Sequence, residues 1–189
     1  MQIIRKDVTI ANNPVTIEVA NFDKNDALNF KRLFDIWLEL NKGLSKYGRT
    51  VNIPEVISEG MFCIFSGSSR YQKKIKGKGS ASFDTLDLKT GRTEQIKASS
   101  IAEDLSSFGP KSEWDDLYFM SFNNGGQMDG SFDVYKIPAE LIYSQKVNKG
   151  QSFKDQQAQG KRPRFSIMKD IIKAHDIKPI GKNVKVWEL

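Results

Sequence analysis

Cysteine and histidine are almost missing from this chain of 189 residues, which has one of each, Cys63 and His175. An internal disulfide and a zinc site built from Cys and His are therefore excluded, and little material remains for a Cys/His nucleophilic couple. Any metal has to be held by oxygen. Long apolar runs are missing too, and nothing approaches the roughly 18 to 20 apolar residues of a membrane-spanning helix. The amino terminus, Met1–Lys6, leads into a polar segment rather than an apolar stretch, so no secretory signal is visible and a cytoplasmic location is expected. There are no internal repeats.

What is present is an ordinary globular composition, 39% hydrophobic and 28% charged, with twelve Phe, five Tyr and three Trp. That is too aromatic for a disordered chain, and the length suits one compact domain over residues 1–189. Lys and Arg exceed Asp and Glu by 29 to 23, a formal charge of +6. The distribution of these charges says more than their total. Gly67–Ser80 holds Arg70, Lys73, Lys74, Lys76 and Lys78 without an acid. Lys146–Arg164 holds Lys146, Lys149, Lys154, Lys161, Arg162 and Arg164 against Asp155 alone. Two basic segments, at about 67–80 and 146–164, thus flank the middle of the chain.

Patterning gives an α/β chain. Met1–Val19 reads as a peripheral β-hairpin around Asn12-Asn13-Pro14. Leu28, Leu33, Phe34, Trp37, Leu38 and Leu44 recur at helical spacing and predict a helix from about Asp26 to Tyr47, stopped by Gly48. Pro54 opens a short helix to Glu59 that Gly60 ends, followed by an apolar strand Met61–Phe65. Gly67–Ser80 reads as a loop or widened hairpin tip. Ala81–Lys89 and Arg92–Ser99 form a hairpin turning at Thr90-Gly91. Ser100–Leu105 reads as a helical turn and Ser106–Lys111 as a loop. Leu117–Phe122 and Ser131–Ile137 bracket a turn at Asn123–Gly126, and Pro138–Tyr143 is a helical turn. The glutamine-rich Lys146–Lys161 is polar, Phe165–Ala174 is a closing helix, and Val184–Trp187 is a terminal strand.

The hairpin centred on Thr90-Gly91 carries the chemistry. A two-residue tip places Asp84 opposite Lys97 and Leu86 opposite Gln95. Alternation then puts Asp84, Gln95 and Lys97 on one face and Asp87 and Glu94 on the other. An aspartate, an amide oxygen and a lysine together suit a hard cation such as Mg²⁺, which accepts one or two carboxylates, water and phosphate oxygens. A cross-strand salt bridge between Asp84 and Lys97 is the plainer alternative.

Asp84 followed by Gln95-Ile96-Lys97 resembles the PD-(D/E)XK nuclease signature, with Phe83 in place of the proline and Gln95 in place of the second acid. Ile53-Pro54-Glu55-Val56-Ile57-Ser58-Glu59-Gly60 looks like the helix preceding the core sheet in type II restriction endonucleases. The run from Ser106 to Phe119 is similar to small nucleases that cut GC-rich palindromes of the GCNGC type. The resemblance spans about Asn52–Phe122. It implies a restriction-endonuclease-like core, a central mixed β-sheet flanked by helices. It also implies Asp84 as a Mg²⁺ ligand, Lys97 as the assistant of the attacking water, Gln95 in the place of the second acid, and Glu59 as an extra carboxylate. Glu94 replaces Gln95 if a bulge shifts the register by one.

The expected activity is Mg²⁺-dependent hydrolysis of double-stranded DNA at a short palindrome, by a homodimer with one active site per strand. A cognate DNA methyltransferase is implied by the family. Arg70, Lys73, Lys74, Lys76, Lys78, Ser107, Lys111, Lys161, Arg162 and Arg164 are expected to contact DNA, with Gln156, Gln157 and Gln159 as further candidate base readers. The alternatives are a catalytically inert nucleic-acid-binding protein, or a repair or junction nuclease of the same superfamily. Cys63 reads as core and His175 as a helix-end residue.

Overall fold

A computed structural model of the chain describes residues 1–10, 13–77 and 82–189. It opens with strands β1 (Gln2–Ile10) and β2 (Asn13–Asn21), paired antiparallel from Gln2–Asn21 to Ile10–Asn13. The expected hairpin is present, and β1 is the edge of the sheet. β2 is far from peripheral, because it buries Val15, Ile17, Val19 and Ala20 and pairs along its other edge with β3 (Ser69–Gly77). The basic segment expected as a loop is therefore mostly a strand. Its charges are tolerated because Lys73 pairs with Glu18 of β2 at 3.1 Å and the outer half of β3 is exposed to water.

Helix α1 (Lys24–Ser45) starts where Asp23 caps it and Asp26 completes a reciprocal capping box. The expected apolar stripe is only half right. Phe34 and Trp37 are buried, together with Ala27 and Phe30, whereas Leu28 and Leu33 are 56% and 45% exposed. A helical period accommodates two adjacent apolar stripes, and packing against the sheet selects the aromatic one.

Helix α2 (Glu55–Ser66) corrects two expectations, since it runs through Gly60 and absorbs the predicted strand Met61–Phe65. An apolar run this short has no decisive period, so a buried helix and a buried strand look alike in sequence. Gly60 is needed for contact rather than termination, because a Cβ there would overlap the ring of Phe30. Gly67, at φ +78°, ends the helix instead.

The remaining elements are β4 (Thr85–Leu86), β5 (Thr93–Ser99), β6 (Ser106–Ser107), β7 (Asp116–Ser121), β8 (Phe132–Ile137), α3 (Ala139–Ser144), β9 (Lys146–Asn148) and β10 (Gln151–Ser152). They continue with α4 (Phe153–Ala158), β11 (Arg164–Phe165), a π-helical α5 (Met168–Lys173), β12 (Gly181–Val184) and a 3₁₀ turn at Val186–Glu188. Ser100–Leu105 holds only turns and bends, and the terminal strand comes earlier in the chain than expected. The polar stretch after Lys146 is a small hairpin and a helix, not a linker, and Ser152 and Asp155 form its capping box.

The main sheet runs β1-β2-β3-β4-β5-β7-β8-β12, antiparallel throughout except where β5 and β7 pair in parallel. This is a mixed sheet flanked by helices. Alternation along β5, β7 and β8 feeds two cores. Ile96, Met120, Phe132 and Val134 join α1 and α2 on one face. Leu117, Phe119 and Ile137 join Phe108, Trp114, Phe153, Phe165 and Ile171 on the other. A third cluster, Val15, Ile17, Val19, Phe83 and Leu86, lies beneath the amino-terminal strands.

Candidate active site

β4 and β5 meet as Thr85–Glu94 and Leu86–Thr93, a register two residues away from the expected one. The cause is the turn. The Asp87 carboxylate accepts the Lys89 N–H at 2.8 Å and the Thr90 hydroxyl at 2.7 Å, which widens the connection to Leu88–Gly91. Asp84 consequently lies beside Gln95 rather than Lys97. A shift of two preserves the faces, so Asp84, Gln95 and Lys97 keep the parity expected of them. Glu94 lies on the opposite face, accepting the Thr85 hydroxyl at 2.7 Å and bonding with Ser68.

Asp84 occupies the bend just before β4, and its backbone bridges both neighbours. The Tyr71 N–H donates to its carbonyl at 2.9 Å and its own N–H donates to Glu94 at 2.9 Å. Beyond it, among the described residues, β5 has no strand partner on that side. The Ile96 N–H donates to Asp84 Oδ2 at 2.8 Å instead, and the Gln95 amide donates to the same oxygen. A side chain thus completes the ladder where the backbone has ended.

The first face of the sheet brings a second acid toward it. Glu59 is 6% exposed on α2 and accepts from Arg70 Nε at 2.6 Å. Burial, and then the negative charge of Asp84, push the Glu59 carboxyl up to about 7 in spite of Arg70. Burial likewise raises Asp84 to about 6, against the Ile96 N–H and the Lys97 charge, which favour its ionised form. Glu55 adds to the negative field on both. Buried Glu59 and half-buried Asp84, each resisting ionisation, are short of positive charge, and their donors are all oxygen. Asp84, Glu59 and the Gln95 amide are chemically suited to a hard divalent cation that completes its shell with water or phosphate oxygens. No group of three His, Cys, Asp or Glu gathers among the described residues, so such an ion would rest on two carboxylates and the amide.

Lys97 projects toward the second core, with Nζ 5.4 Å from the centroid of Phe108. Phe108 is held between Trp114 and Phe165, at ring distances of 5.6 and 5.5 Å. Its N–H donates to Pro163 at 3.0 Å, and Ser107 pairs with Arg164 across β6 and β11. The end of the second basic segment therefore lies next to the support of Lys97. Lys111, Lys161, Arg162 and Arg164 are exposed. In the first segment Arg70 turns to Glu59, Lys73 to Glu18, and Lys76 is exposed. Lys78 lies outside the described residues.

The three glutamines have partners or burial within the chain. Gln156 is buried, Gln157 donates to the Gly109 carbonyl at 3.0 Å, and Gln159 accepts from Gln151 at 3.1 Å. Two residues of the site were missed in the sequence, Arg70 as partner of Glu59 and Phe108 as support of Lys97. Neither leaves a local signal, since each meets its partner through a separate element.

The family described as Bsp6I restriction endonuclease matches residues 22–174. The type II restriction enzyme Bsp6I of Bacillus sp. (strain RFL6) is 36% identical over 169 residues, covering 87% of this chain and 91% of that enzyme. No solved structure matches the chain.

Proposed function

Because the chain belongs to the Bsp6I restriction endonuclease family and is a type II restriction enzyme that cleaves DNA, we propose that Asp84, Gln95, Lys97 and Glu59 form its catalytic centre on a PD-(D/E)XK core. The observation that carries this is the electrostatic influence of half-buried Asp84 on buried Glu59, both reluctant to ionise, with the Gln95 amide bonded to Asp84 and Lys97 two residues farther along β5. Family membership leaves the catalytically inert reading without support. Mg²⁺ is the proposed cofactor, with Asp84, Glu59 and Gln95 as ligands. When bound, it supplies Lewis-acid stabilisation of the charge that develops on the scissile phosphate.

The side chains have distinct tasks. Asp84 is oriented by the Ile96 N–H, so its carboxylate is aimed before DNA arrives. Arg70 holds Glu59 in place and favours its ionised form. Lys97 is fixed by Phe108 rather than by an acid, which leaves its ammonium available to orient the attacking water and offset phosphate charge. The exposed Lys76, Lys111, Lys161, Arg162 and Arg164 neutralise phosphates, with Lys74, Lys78 and Ser107 in the same role. The whole chain, 1–189, acts as one domain. It works as a homodimer on a short GC-rich palindrome, in the bacterial cytoplasm, alongside a methyltransferase that protects the host site.

Supercoiled plasmid with Mg²⁺ tests the assignment. The wild type should give discrete fragments. Asp84→Ala and Lys97→Ala should each lose at least about 100-fold in rate while still shifting the same DNA in Ca²⁺. Cutting by Asp84→Ala at the wild-type rate would remove this hairpin from the mechanism. Nicks without fixed ends would point instead to a repair or junction nuclease.

A further inference from the structure

Helix α1 is apolar on two sides, and only one of them is used within the chain. Phe30, Phe34 and Trp37 enter the core, while Leu33, Ile36 and Leu40 remain 45%, 53% and 52% exposed. Half-buried Leu44 continues the line to the helix end, and the 86% exposed Tyr47 follows in the turn just beyond it. Steps of three and four residues put these side chains in one narrow band on the helix, the spacing of a helix-pairing seam. Contiguous apolar surface of this kind on a soluble protein marks an interaction site.

We propose that this band is where two copies of the chain pair, α1 against α1, antiparallel about the helix midpoint. The inference rests on the homodimer reading above and names its surface. The occupant follows from the arrangement of the helix itself. α1 spans residues 24–45, so its midpoint falls between Phe34 and Asp35. Pairing about that point places Leu33 of one copy against Ile36 of the other, and Leu40 against Asn29, each twice by symmetry. That register sets Arg32 level with Trp37 of the other copy and Glu39 level with Phe30, so Arg32 of one copy and Glu39 of the other lie on the same flank with an offset of two residues, about 3 Å along the axis, again twice. Both are exposed, and among the described residues neither has an ion pair in its own chain, whereas Lys31 and Asp35 beside them pair with each other at 2.6 Å. A parallel arrangement would set Arg32 level with Arg32 and Glu39 level with Glu39. Antiparallel pairing also opposes the two helix dipoles.

The band is connected to the site. Trp37 Nε1 donates to the carbonyls of Val51 and Asn52 at 3.1 and 3.0 Å, and Asn41 exchanges two bonds of 2.8 Å with Val51. That segment leads directly into α2 and Glu59. Pairing through α1 would therefore set the separation of the two acid clusters.

Sedimentation of the full chain, alone and with a palindromic duplex in Ca²⁺, tests the pairing, with plasmid cleavage in Mg²⁺ run in parallel. The wild type should sediment as two chains. The double substitution Leu33→Asp with Ile36→Asp should give one chain of unchanged circular dichroism that only nicks plasmid. Arg32→Glu alone and Glu39→Arg alone should each weaken association about tenfold, and the two together should restore it. A two-chain species that survives Leu33→Asp with Ile36→Asp, or a double reversal no better than either single one, would overturn the α1 surface and leave the homodimer standing. One wild-type chain per duplex with nicks alone would overturn both.

Discussion

Asp84 is held by its surroundings in a state that costs the protein stability. Its carboxyl is raised to about 6 by burial, so between about pH 4 and 6 the folded chain binds more protons than the unfolded chain. Stability from this residue is therefore present at low pH and lost as pH rises through that window. Glu59, raised to about 7, acts in the same direction from about 4.5 upward. Asp84→Asn keeps an oxygen for the Ile96 N–H and removes the charge. At pH 8 it should raise the metal-free unfolding free energy by about 1 to 3 kcal/mol and abolish cleavage, and thermal melts should show the gain disappearing near pH 4. An unchanged melting temperature at pH 8 would mean that Asp84 is not strained by its burial. Gln95→Glu adds a carboxylate beside Asp84 at the place where the resembling nucleases carry an acid. It should remain active and reach half-maximal cleavage at a lower Mg²⁺ concentration, measured by titrating plasmid cleavage. A higher Mg²⁺ requirement would take Gln95 out of the ligand set.

At the scale of elements, the site depends on α2 lying close against α1 and the sheet. Gly60 allows that approach, because the ring of Phe30 occupies the space a Cβ would need. Gly60→Ala should destabilise the protein by about 1 to 3 kcal/mol despite the better helix propensity of alanine. Urea unfolding measures this directly, and a stabilised variant would show that the ring moves aside freely. The five residues Asp87–Gly91 matter in a different way, since the Asp87 carboxylate fixes the wide turn and hence the neighbours of Asp84. Strand β4 itself is only two residues long, so this turn and the side chain of Asp84 do the work that a longer ladder would do.

The whole molecule presents basic side chains at separate places, along the outer half of β3 and around Lys161–Arg164 beside β6. If the latter group contacts phosphates, Lys161→Ala, Arg162→Ala and Arg164→Ala together should weaken binding in Ca²⁺ to cognate and unrelated duplexes alike. The slope of log affinity against log salt should fall by about 2 to 3, near 0.9 for each lost phosphate contact. Fluorescence anisotropy over a salt series measures it. Loss confined to the cognate duplex would assign these residues to base reading, and an unchanged slope would remove them from the DNA surface.

The sequence by itself determined the class of chemistry and the order of the parts. One cysteine and one histidine left oxygen as the donor for any metal, and Asp84 with Gln95-Ile96-Lys97 carried the likeness to a nuclease. Parity along a strand survives a two-residue error, which is why the grouping of Asp84, Gln95 and Lys97 on one side was legible although their exact opposition was not. The pairing of β1 with β2 and of β7 with β8 was legible as well, because each pair is joined by a short turn set by neighbours in the chain. Only the tertiary structure decided that Met61–Phe65 is helix, that Ser69–Gly77 is strand, and which apolar stripe of α1 is buried. It also decided that Arg70 serves Glu59 and that Phe108 supports Lys97. Each of these depends on a partner from another element, and burial, which sets both the packing and the acidity of the site, exists only once those elements have met.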